Sequence, residues 1–284
     1  MCRFVLYMGP PITLDLLTTR PAYSIIHQSF KARMRVEPLN GDGFGVAWYV
    51  PEVSPEPAVF RSIQPAWNNM NLRDLARVTR SPVVLAHVRA ASAGTGVSEA
   101  NCHPFALGRL AFMHNGAVPE FSRLKRQLQQ RLSDQAFSAI AGTTDSEHMF
   151  ALFRDHLAGA NGANRTEAMA DALEATLADV VQLARQCGIT KNPSLNVAVC
   201  DGRCAVVSRY TSGSSQAPSL YYHTGKRYAC EDGQCRMVAA EKSHHAVMVA
   251  SEPLTDEETW TVVPGGQMML IHPDHDVRFR AIGG

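Results

Sequence analysis

The chain has 284 residues, of which 45% are hydrophobic and 19% are charged, and its formal net charge is +1. These values are typical of globular proteins, and the absence of a Lys/Arg run or stripe argues against a nucleic-acid partner. The apolar runs are short, such as residues 83–86, so we expect no transmembrane helix and no membrane partner. The N-terminus lacks the pattern of a signal peptide. We therefore expect a cytoplasmic protein.

The apolar pattern predicts strands, then helices, then strands again. Early strands are predicted near residues 3–8, 44–50, 58–63, 83–88 and 109–113, the first ending at Gly9-Pro10-Pro11. Helices are predicted near residues 22–33, 72–79, 119–132, 145–158 and 165–187. Late strands are predicted near residues 196–200, 204–208, 219–222, 246–250 and 268–271. This order has no regular β-α-β alternation, so we expect an α+β fold in one domain spanning residues 1–284.

Seven cysteines, an odd number without a secretion signal, argue against a disulfide framework and predict free thiols. A zinc site is one alternative, formed by Cys200, Cys204, Cys230, Cys235 and His244-His245, but the usual two-residue spacing is missing. Residues 201–203 instead indicate a hairpin turn between two strands. A Cys102-His103 thiol–imidazole pair is disfavoured, because adjacent residues of an extended segment point to opposite faces. We therefore expect neither a metal nor a cofactor.

Cys2 is the cysteine with a distinctive position. Removal of Met1 would leave a thiol and a free α-amine on one residue. An α-amine has an unperturbed pKa of about 7.7–8.0, so near neutral pH a good fraction of it is free to accept a proton. A thiol next to its own base is an activated nucleophile of the kind that N-terminal threonine hydrolases use. By position alone, however, most proteins that begin Met-Cys have no such activity.

Polar residues follow apolar runs at several points, as functional residues at strand ends commonly do. Four segments show this pattern, Asn40–Gly45, His87–Arg89, Asn101–Phe105 and His114–Gly116, and a fifth polar segment, Thr143–Glu147, opens a helix. Each has a structural alternative. Asn115-Gly116 and Asn40-Gly41 are typical of type I′ turns, Asp145 follows Thr144 at a helix start with capping-box spacing to Glu147, and Arg89 could be an ordinary ion-pair partner. For His87, His103 and His114 we favour structural hydrogen bonding over catalysis.

Taken in order, these motifs resemble the class II glutamine amidotransferases, the cysteine branch of the N-terminal-nucleophile hydrolases. The resemblance spans nearly the whole chain. It is strongest to stand-alone members of γ-glutamyl thiol metabolism, the fungal glutathione-degrading amidotransferase subunit and the ergothioneine-pathway γ-glutamyl hydrolases. The segments that carry it include Met1–Phe4, Thr19–Ala22, Asn40–Gly45, Pro65–Asn69, Phe112–Gly116, Ser208–Tyr210, Val249–Leu254 and Trp260–Pro264.

The resemblance implies a four-layer α/β/β/α sandwich of two antiparallel sheets and a set of site residues. Cys2 would be the nucleophile, with Asn40 orienting its amine, and Asn115 with Gly116 would form the oxyanion hole. Arg89 would bind the α-carboxylate of a γ-glutamyl group, Asp145 its α-ammonium, and His103 is a further candidate substrate contact. Ala90 stands where the related aminosugar synthase has Trp, which leaves open the size of the amine that the pocket admits.

The implied reaction is hydrolysis of a γ-glutamyl amide, in glutathione, a related compound or glutamine, through a γ-glutamyl thioester on Cys2. One alternative is a glutaminase subunit that supplies ammonia to a separate synthase. Another is a non-catalytic regulatory subunit, which would be favoured if Met1 were retained. The resemblance also implies a metallopeptidase-like partner subunit.

Overall fold

Fourteen strands and seven α-helices follow one another in the part of the chain that the structure describes. The computed structural model describes residues 2–35, 37–91, 96–160, 164–213, 216–231, 234–241, 244–256 and 258–283. The strands are β1 (Arg3–Thr13), β2 (Phe44–Val50), β3 (Ser54–Ser62), β4 (Arg80–Val88), β5 (Phe105–Leu107), β6 (Leu110–Ala117), β7 (Ser194–Cys200), β8 (Ala205–Arg209), β9 (Tyr221–Glu231), β10 (Gln234–Val238), β11 (Ala246–Ala250), β12 (Thr261–Val262), β13 (Gln267–Ile271) and β14 (Val277–Ala281). The helices are α1 (Asp15–Thr18), α2 (Ile25–Phe30), α3 (Met70–Val78), α4 (Phe121–Gln129), α5 (Asp134–Ser138), α6 (Asp145–Gly159) and α7 (Arg165–Gln186).

Within the described residues the strands form two antiparallel sheets. The first has the order β10-β9-β11-β1-β4-β2-β3, with β12 also paired to β9. The second has the order β14-β13-β8-β7-β6-β5. β1 and β6 are interior strands of different sheets, and both contribute side chains to one core between the sheets.

The alternation of side chains along β1 explains how the sheets are stacked. Phe4, Leu6 and Met8 point into a cluster shared with Ala111 and Met113 of β6, which is the core between the sheets. The intervening residues of β1 point to the opposite face, because successive side chains of a strand alternate. Both faces of β1 are therefore buried, which accounts for its continuous apolar sequence.

Helices cover the outer face of each sheet. Residues of α1, α2 and α3 pack with the outer face of the first sheet in one cluster. Residues of α4, α6 and α7 pack with the outer face of the second sheet in another. The predicted α/β/β/α sandwich is confirmed. None of the helices in the described part of the chain is both long and apolar enough to cross a membrane.

Several predicted boundaries are wrong, for local reasons. β1 continues through Gly9-Pro10-Pro11 to Thr13, and its pairing with β4 is irregular between Met8 and Ile12. Proline has no N–H, and such an irregularity accommodates it. The helix predicted over residues 22–33 is limited to α2, and of the strand predicted over residues 219–222 only the last two residues belong to β9, which is longer than predicted. The hairpin predicted at residues 201–203 is confirmed by the pairing of β7 with β8.

Candidate active site

Cys2 lies just before β1, where the first sheet brings it beside the end of β4. Arg3 pairs with Val88, so Cys2 faces the segment that follows β4. The Cys2 side chain is 7% exposed, and its Sγ accepts a hydrogen bond from the backbone N–H of Ala90 at 3.4 Å. Burial raises the pKa of the Cys2 thiol, opposed by the Ala90 hydrogen bond and the Arg89 charge. The resting thiol is therefore protonated near neutral pH and needs a base to become a nucleophile.

Arg89 is a buried cation beside this thiol. It directly follows β4, and its backbone N–H donates to the carbonyl oxygen of Gly43 at 2.8 Å. Its guanidinium donates to the carbonyl oxygens of Asp42 at 3.4 Å and Gly96 at 3.3 Å. The Asp42 carboxylate in turn accepts the N–H of Ala91 at 2.8 Å. These bonds fix the direction of the planar guanidinium, which recognition of a carboxylate requires.

Asn115 and Gly116 lie near the end of β6, paired with β7. They are therefore strand residues, and the type I′ turn alternative is excluded. The Asn115 side chain is fully buried. A Cβ atom at Gly116 would lie 1.8 Å from the carbonyl oxygen of Ser194, so only glycine fits this close approach of two strands.

Asp145 is the first residue of α6. The N-cap residue Thr144 accepts the N–H of Glu147 at 3.2 Å, as its spacing predicted. The Asp145 carboxylate accepts the N–H of Val118 at 2.8 Å through Oδ2 and that of Ser146 at 2.8 Å through Oδ1. The first of these bonds ties the start of α6 to the residue after β6. Asp145 consequently lies beside the strand that carries Asn115 and Gly116.

Two opposite charges act on the Cys2 thiol. Arg89 lowers the pKa of the Cys2 thiol, and Asp145 raises it. Coulombic effects of this kind come from charges close to the titrating group. The structure thus brings together Cys2, Arg89 and Asp145, three residues that are far apart in the chain and that the sequence predicted for one site.

Two residues for which we predicted no role connect the parts of this site. The Ser251 Oγ accepts hydrogen bonds from the backbone N–H of Phe4 at 3.0 Å and from Nδ2 of Asn115 at 3.2 Å. Glu252 forms a buried ion pair with Arg3. Both residues directly follow the buried apolar strand β11. Polar residues in that position were the signal that identified the other segments, and it could have identified these two.

Asn40 is fully buried, and its side chain makes its contacts within its own region of the chain. Its Nδ2 donates to the carbonyl oxygen of Gln28 at 2.9 Å, and its Oδ1 accepts from Arg35 at 2.5 Å. The pKa of Arg35 is lowered by burial and by Arg3 and raised by Cys2, so the Arg35 guanidinium is in the neighbourhood of the thiol. Asn40 therefore holds Arg35 in place, and its predicted role in orienting the Cys2 amine stays a prediction.

Three buried histidines accompany the site. The His114 ring lies 2.9 Å from the Ser146 hydroxyl and 2.9 Å from the carbonyl oxygen of Ser194. The His87 Nε2 lies 3.2 Å from the carbonyl oxygen of His114, and its ring centroid is 4.1 Å from that of His103. Burial lowers the pKa of all three, that of His87 to about 3. They are neutral near pH 7, and the substrate contact assigned to His103 stays a prediction.

Comparison with known proteins identifies the family. The profile of the glutamine amidotransferases class-II matches residues 17–279. The chain belongs to this family. The probable glutamine amidotransferase DUG3 of Saccharomyces cerevisiae is 42% identical over 301 residues, covering 96% of this chain and 84% of the yeast protein. The gamma-glutamyl-hercynylcysteine sulfoxide hydrolase of Mycolicibacterium smegmatis is 26% identical over 279 residues, covering 98% of each. A solved glutamine aminotransferase class-II domain protein from Silicibacter pomeroyi aligns with a TM-score of 0.69 at 29% identity, over 100% of both chains.

Membership in the class II glutamine amidotransferases confirms two predictions made from the sequence. The family itself was predicted, including its likeness to fungal and ergothioneine-pathway members. The chain is an amidohydrolase-type enzyme with the N-terminal-nucleophile fold. Met1 lies outside the described residues, so its removal from Cys2 remains a prediction.

Among the other cysteines of this class II amidotransferase, one pair is disulfide-bonded, and burial raises the thiol pKa of Cys102, Cys200 and Cys204. Cys230 and Cys235 form a disulfide between β9 and β10, so this pair offers no free thiolate. The Cys204 Sγ lies 3.6 Å from the Met169 Sδ, and burial raises the pKa of Cys204 to about 12. Across the described ranges no group of three or more His, Cys, Asp or Glu side chains is arranged to hold a metal ion.

Proposed function

We propose that this chain hydrolyses a γ-glutamyl amide bond, in glutathione, a related γ-glutamyl compound or glutamine, through a thioester on Cys2. The observation that carries the proposal is a buried thiol that accepts the backbone N–H of Ala90, the residue after the buried cation Arg89, and that also feels the charge of Asp145. The α-carbon of a γ-glutamyl group bears a carboxylate and an ammonium, which match these two charges. The names of the yeast and mycobacterial relatives, an amidotransferase and a gamma-glutamyl hydrolase, support the same substrate class.

The first half of the reaction forms the thioester. The Cys2 Sγ attacks the γ-carbonyl carbon while the thiol proton passes to the α-amine of the same residue. The amine is available as this base near neutral pH, because its unperturbed pKa is about 7.7–8.0. When the tetrahedral intermediate collapses, the C–N bond breaks and the resulting ammonium returns its proton to the leaving amine.

The oxyanion of that intermediate needs donors that face the γ-carbonyl. The side-chain amide of Asn115 and the backbone N–H of Gly116 are our candidates, since both belong to the strand beside Asp145. A buried donor that needs no rearrangement during the reaction typically contributes about 2.7–4 kcal/mol of transition-state stabilisation. Arg89 and Asp145 hold the other end of the γ-glutamyl group, which fixes the carbonyl relative to the thiol.

The second half releases glutamate. Water attacks the thioester carbonyl, the α-amine takes the water proton, and the C–S bond breaks to regenerate the Cys2 thiol. The core shared by the two sheets supports one domain over residues 1–284. We expect water as the acceptor because the mycobacterial relative is named a hydrolase. The metallopeptidase-like partner subunit and the cytoplasmic location, both expected above, stay predictions that co-purification and fractionation would test.

The test measures glutamate release from glutathione and from glutamine by mass spectrometry, for wild type and Cys2→Ala. We expect release from glutathione in preference to glutamine, and none from Cys2→Ala. A matched control is Cys187→Ala, which removes a partly exposed free thiol at the end of α7 and is expected to retain activity. An intact-mass measurement establishes that Met1 is absent.

The other outcomes separate the alternatives. Preferential cleavage of glutamine would favour a glutaminase that supplies ammonia to a synthase. Release that persists in Cys2→Ala would exclude the thioester. An inactive protein that retains Met1 would favour the non-catalytic regulatory subunit.

A further inference from the structure

The Ser251 hydroxyl lies where the two sheets of the sandwich meet. It accepts the backbone N–H of Phe4, a residue of β1 in the first sheet, at 3.0 Å. It also accepts a hydrogen bond from the Nδ2 of Asn115, a residue of β6 in the second sheet, at 3.2 Å. Phe4 is two residues from Cys2. One oxygen atom therefore connects the strand that begins at the thiol with the strand that carries the oxyanion donor of the proposed function.

We propose that Ser251 is a positioning residue that orients the Asn115 amide toward the oxyanion, an inference that rests on the proposed function. A primary amide carries two N–H groups on one planar nitrogen. The bond to Ser251 uses one of them, which gives the other a defined direction. The Oδ1 of Asn115 is buried and finds no hydrogen-bond partner within the described ranges, so the Ser251 contact is what holds the amide plane there.

Ser251 is itself held in place by bonds that do not involve its hydroxyl. Its backbone N–H donates to the carbonyl oxygen of Phe4 at 3.0 Å. The next residue, Glu252, accepts from the Arg3 guanidinium and, at 2.8 Å, from the backbone N–H of Arg33. Removing the hydroxyl should therefore leave the chain trace intact and act mainly on the two groups that it accepts from.

The simpler reading is that the hydroxyl only completes strand pairing by accepting the Phe4 N–H. In that case its loss would lower stability, and any effect on the reaction would be independent of Asn115. In our proposal the effect passes through Asn115 and is specific to the transition state. A double-mutant cycle separates the two readings, because coupled residues deviate from additivity and independent ones do not.

The experiment measures kcat and KM for γ-glutamyl amide hydrolysis in wild type, Ser251→Ala, Asn115→Ala and the double variant. We expect Ser251→Ala to lower kcat roughly 10-fold with little change in KM, less than the ~10²–10³-fold that loss of a donor costs. In the Asn115→Ala background, Ser251→Ala should change kcat by less than about two-fold, because the amide that it orients is gone.

A matched control is Ser81→Ala at the opposite end of β4. Ser81 is also fully buried, and its hydroxyl accepts the backbone N–H of Tyr49 at 3.2 Å. The Ser81→Ala variant should be less stable than wild type and keep the wild-type kcat. Ser251→Thr, which retains the oxygen, should recover most of kcat. If the alanine variant fails to fold, Ser251→Cys gives the same comparison, since sulfur is a weak acceptor of similar size.

Two failures can be told apart. An unchanged kcat in folded Ser251→Ala, or an equal loss of kcat in the presence and absence of the Asn115 amide, would overturn the positioning role while leaving the hydrolase intact. If wild type and Cys2→Ala release glutamate equally, the proposed function itself is wrong.

Discussion

Arg3 and Glu252 form an ion pair with an Nε–Oε1 distance of 2.5 Å, and both side chains are 1% exposed. The same carboxylate accepts the backbone N–H groups of Arg33 at 2.8 Å and Met34 at 3.0 Å. The Arg3 guanidinium also donates to the carbonyl oxygen of Cys2 at 2.9 Å. The Glu252 carboxylate thus connects the end of β11 to two segments: directly to the backbone of Arg33 and Met34, and through Arg3 to the backbone of Cys2.

We expect Glu252→Gln to destabilise the protein by about 3–5 kcal/mol, because it leaves the buried Arg3 charge without its counterion. Urea unfolding measures this change in the free energy of unfolding. The control is Glu120→Gln, which breaks an exposed pair with Arg123 (2.6 Å, side chains 44% and 50% exposed) and should cost less than about 1 kcal/mol. Equal losses in the free energy of unfolding for Glu252→Gln and Glu120→Gln would show that the buried ion pair contributes no more to stability than the exposed one.

Arg89→Lys tests the proposed binding of the substrate α-carboxylate by Arg89. Lysine keeps the positive charge and loses the planar fork, so we expect KM for the γ-glutamyl substrate to rise roughly 10-fold with a smaller change in kcat. Arg80→Lys makes the same exchange at the other end of β4, where Arg80 is exposed and donates to the carbonyl oxygen of Pro11, and should leave KM unchanged. A wild-type KM in Arg89→Lys would remove Arg89 from substrate binding.

Asp145→Asn tests the proposed binding of the substrate α-ammonium by Asp145. Losing the counterion of the substrate ammonium should raise KM roughly 10- to 100-fold, as expected for a hydrogen bond to a charged group. Asp145 raises the pKa of the Cys2 thiol, so its neutralisation should lower that pKa and speed alkylation of Cys2 by iodoacetamide at neutral pH. Asp134→Asn, an exposed first-turn residue of α5, controls for the loss of a helix-terminal charge and should change neither measurement. Slower or unchanged alkylation in Asp145→Asn would mean that this carboxylate does not face the thiol.

The sequence predicted the parts of the fold that local patterns encode. The predicted strand at residues 44–50 coincides with β2, and the helices predicted near 145–158 and 165–187 match α6 and α7 within two residues. β9 was mostly missed, because its polar stretch Thr224–Arg227 carries no apolar alternation. Such a strand is stabilised by its partners β10 and β11, and a single sequence does not show which segments will pair.

In the site, too, local sequence patterns indicated some residues, whereas contacts between distant segments could not be predicted. Arg89 and Asn115 lie in segments where polar residues follow apolar runs, Asp145 lies in one that opens a helix, and the resemblance to the class II amidotransferases implied their roles. The Ser251–Asn115 hydrogen bond joins residues 136 positions apart in two sheets, and it depends on how the sheets stack. Local composition carries no information on that stacking, so the contact became visible only in three dimensions.

The buried histidines make stability depend on pH in a definite direction. Burial lowers the pKa of His87, His103 and His114 in the folded state, whereas in the unfolded chain a histidine titrates near 6.5. Below that value the unfolded state takes up protons that the folded state does not. The stability contributed by neutral burial is therefore complete above about pH 6.5 and is lost as the pH falls toward the folded-state values, about 3 for His87.

His103→Phe should weaken this acid sensitivity. Neither ring nitrogen of His103 has a hydrogen-bond partner in the described parts of the chain, and phenylalanine keeps the packing against His87 and Phe105. Removing one histidine whose pKa is lowered in the fold should make the free energy of unfolding fall less steeply between about pH 6 and pH 4.5, by up to about 1.4 kcal/mol per pH unit. Urea unfolding across that pH range measures this slope. His244→Phe at an exposed position should leave the slope unchanged. A slope unaffected by His103→Phe would show that His103 is protonated in the fold, and a raised KM at neutral pH would identify it as a substrate contact.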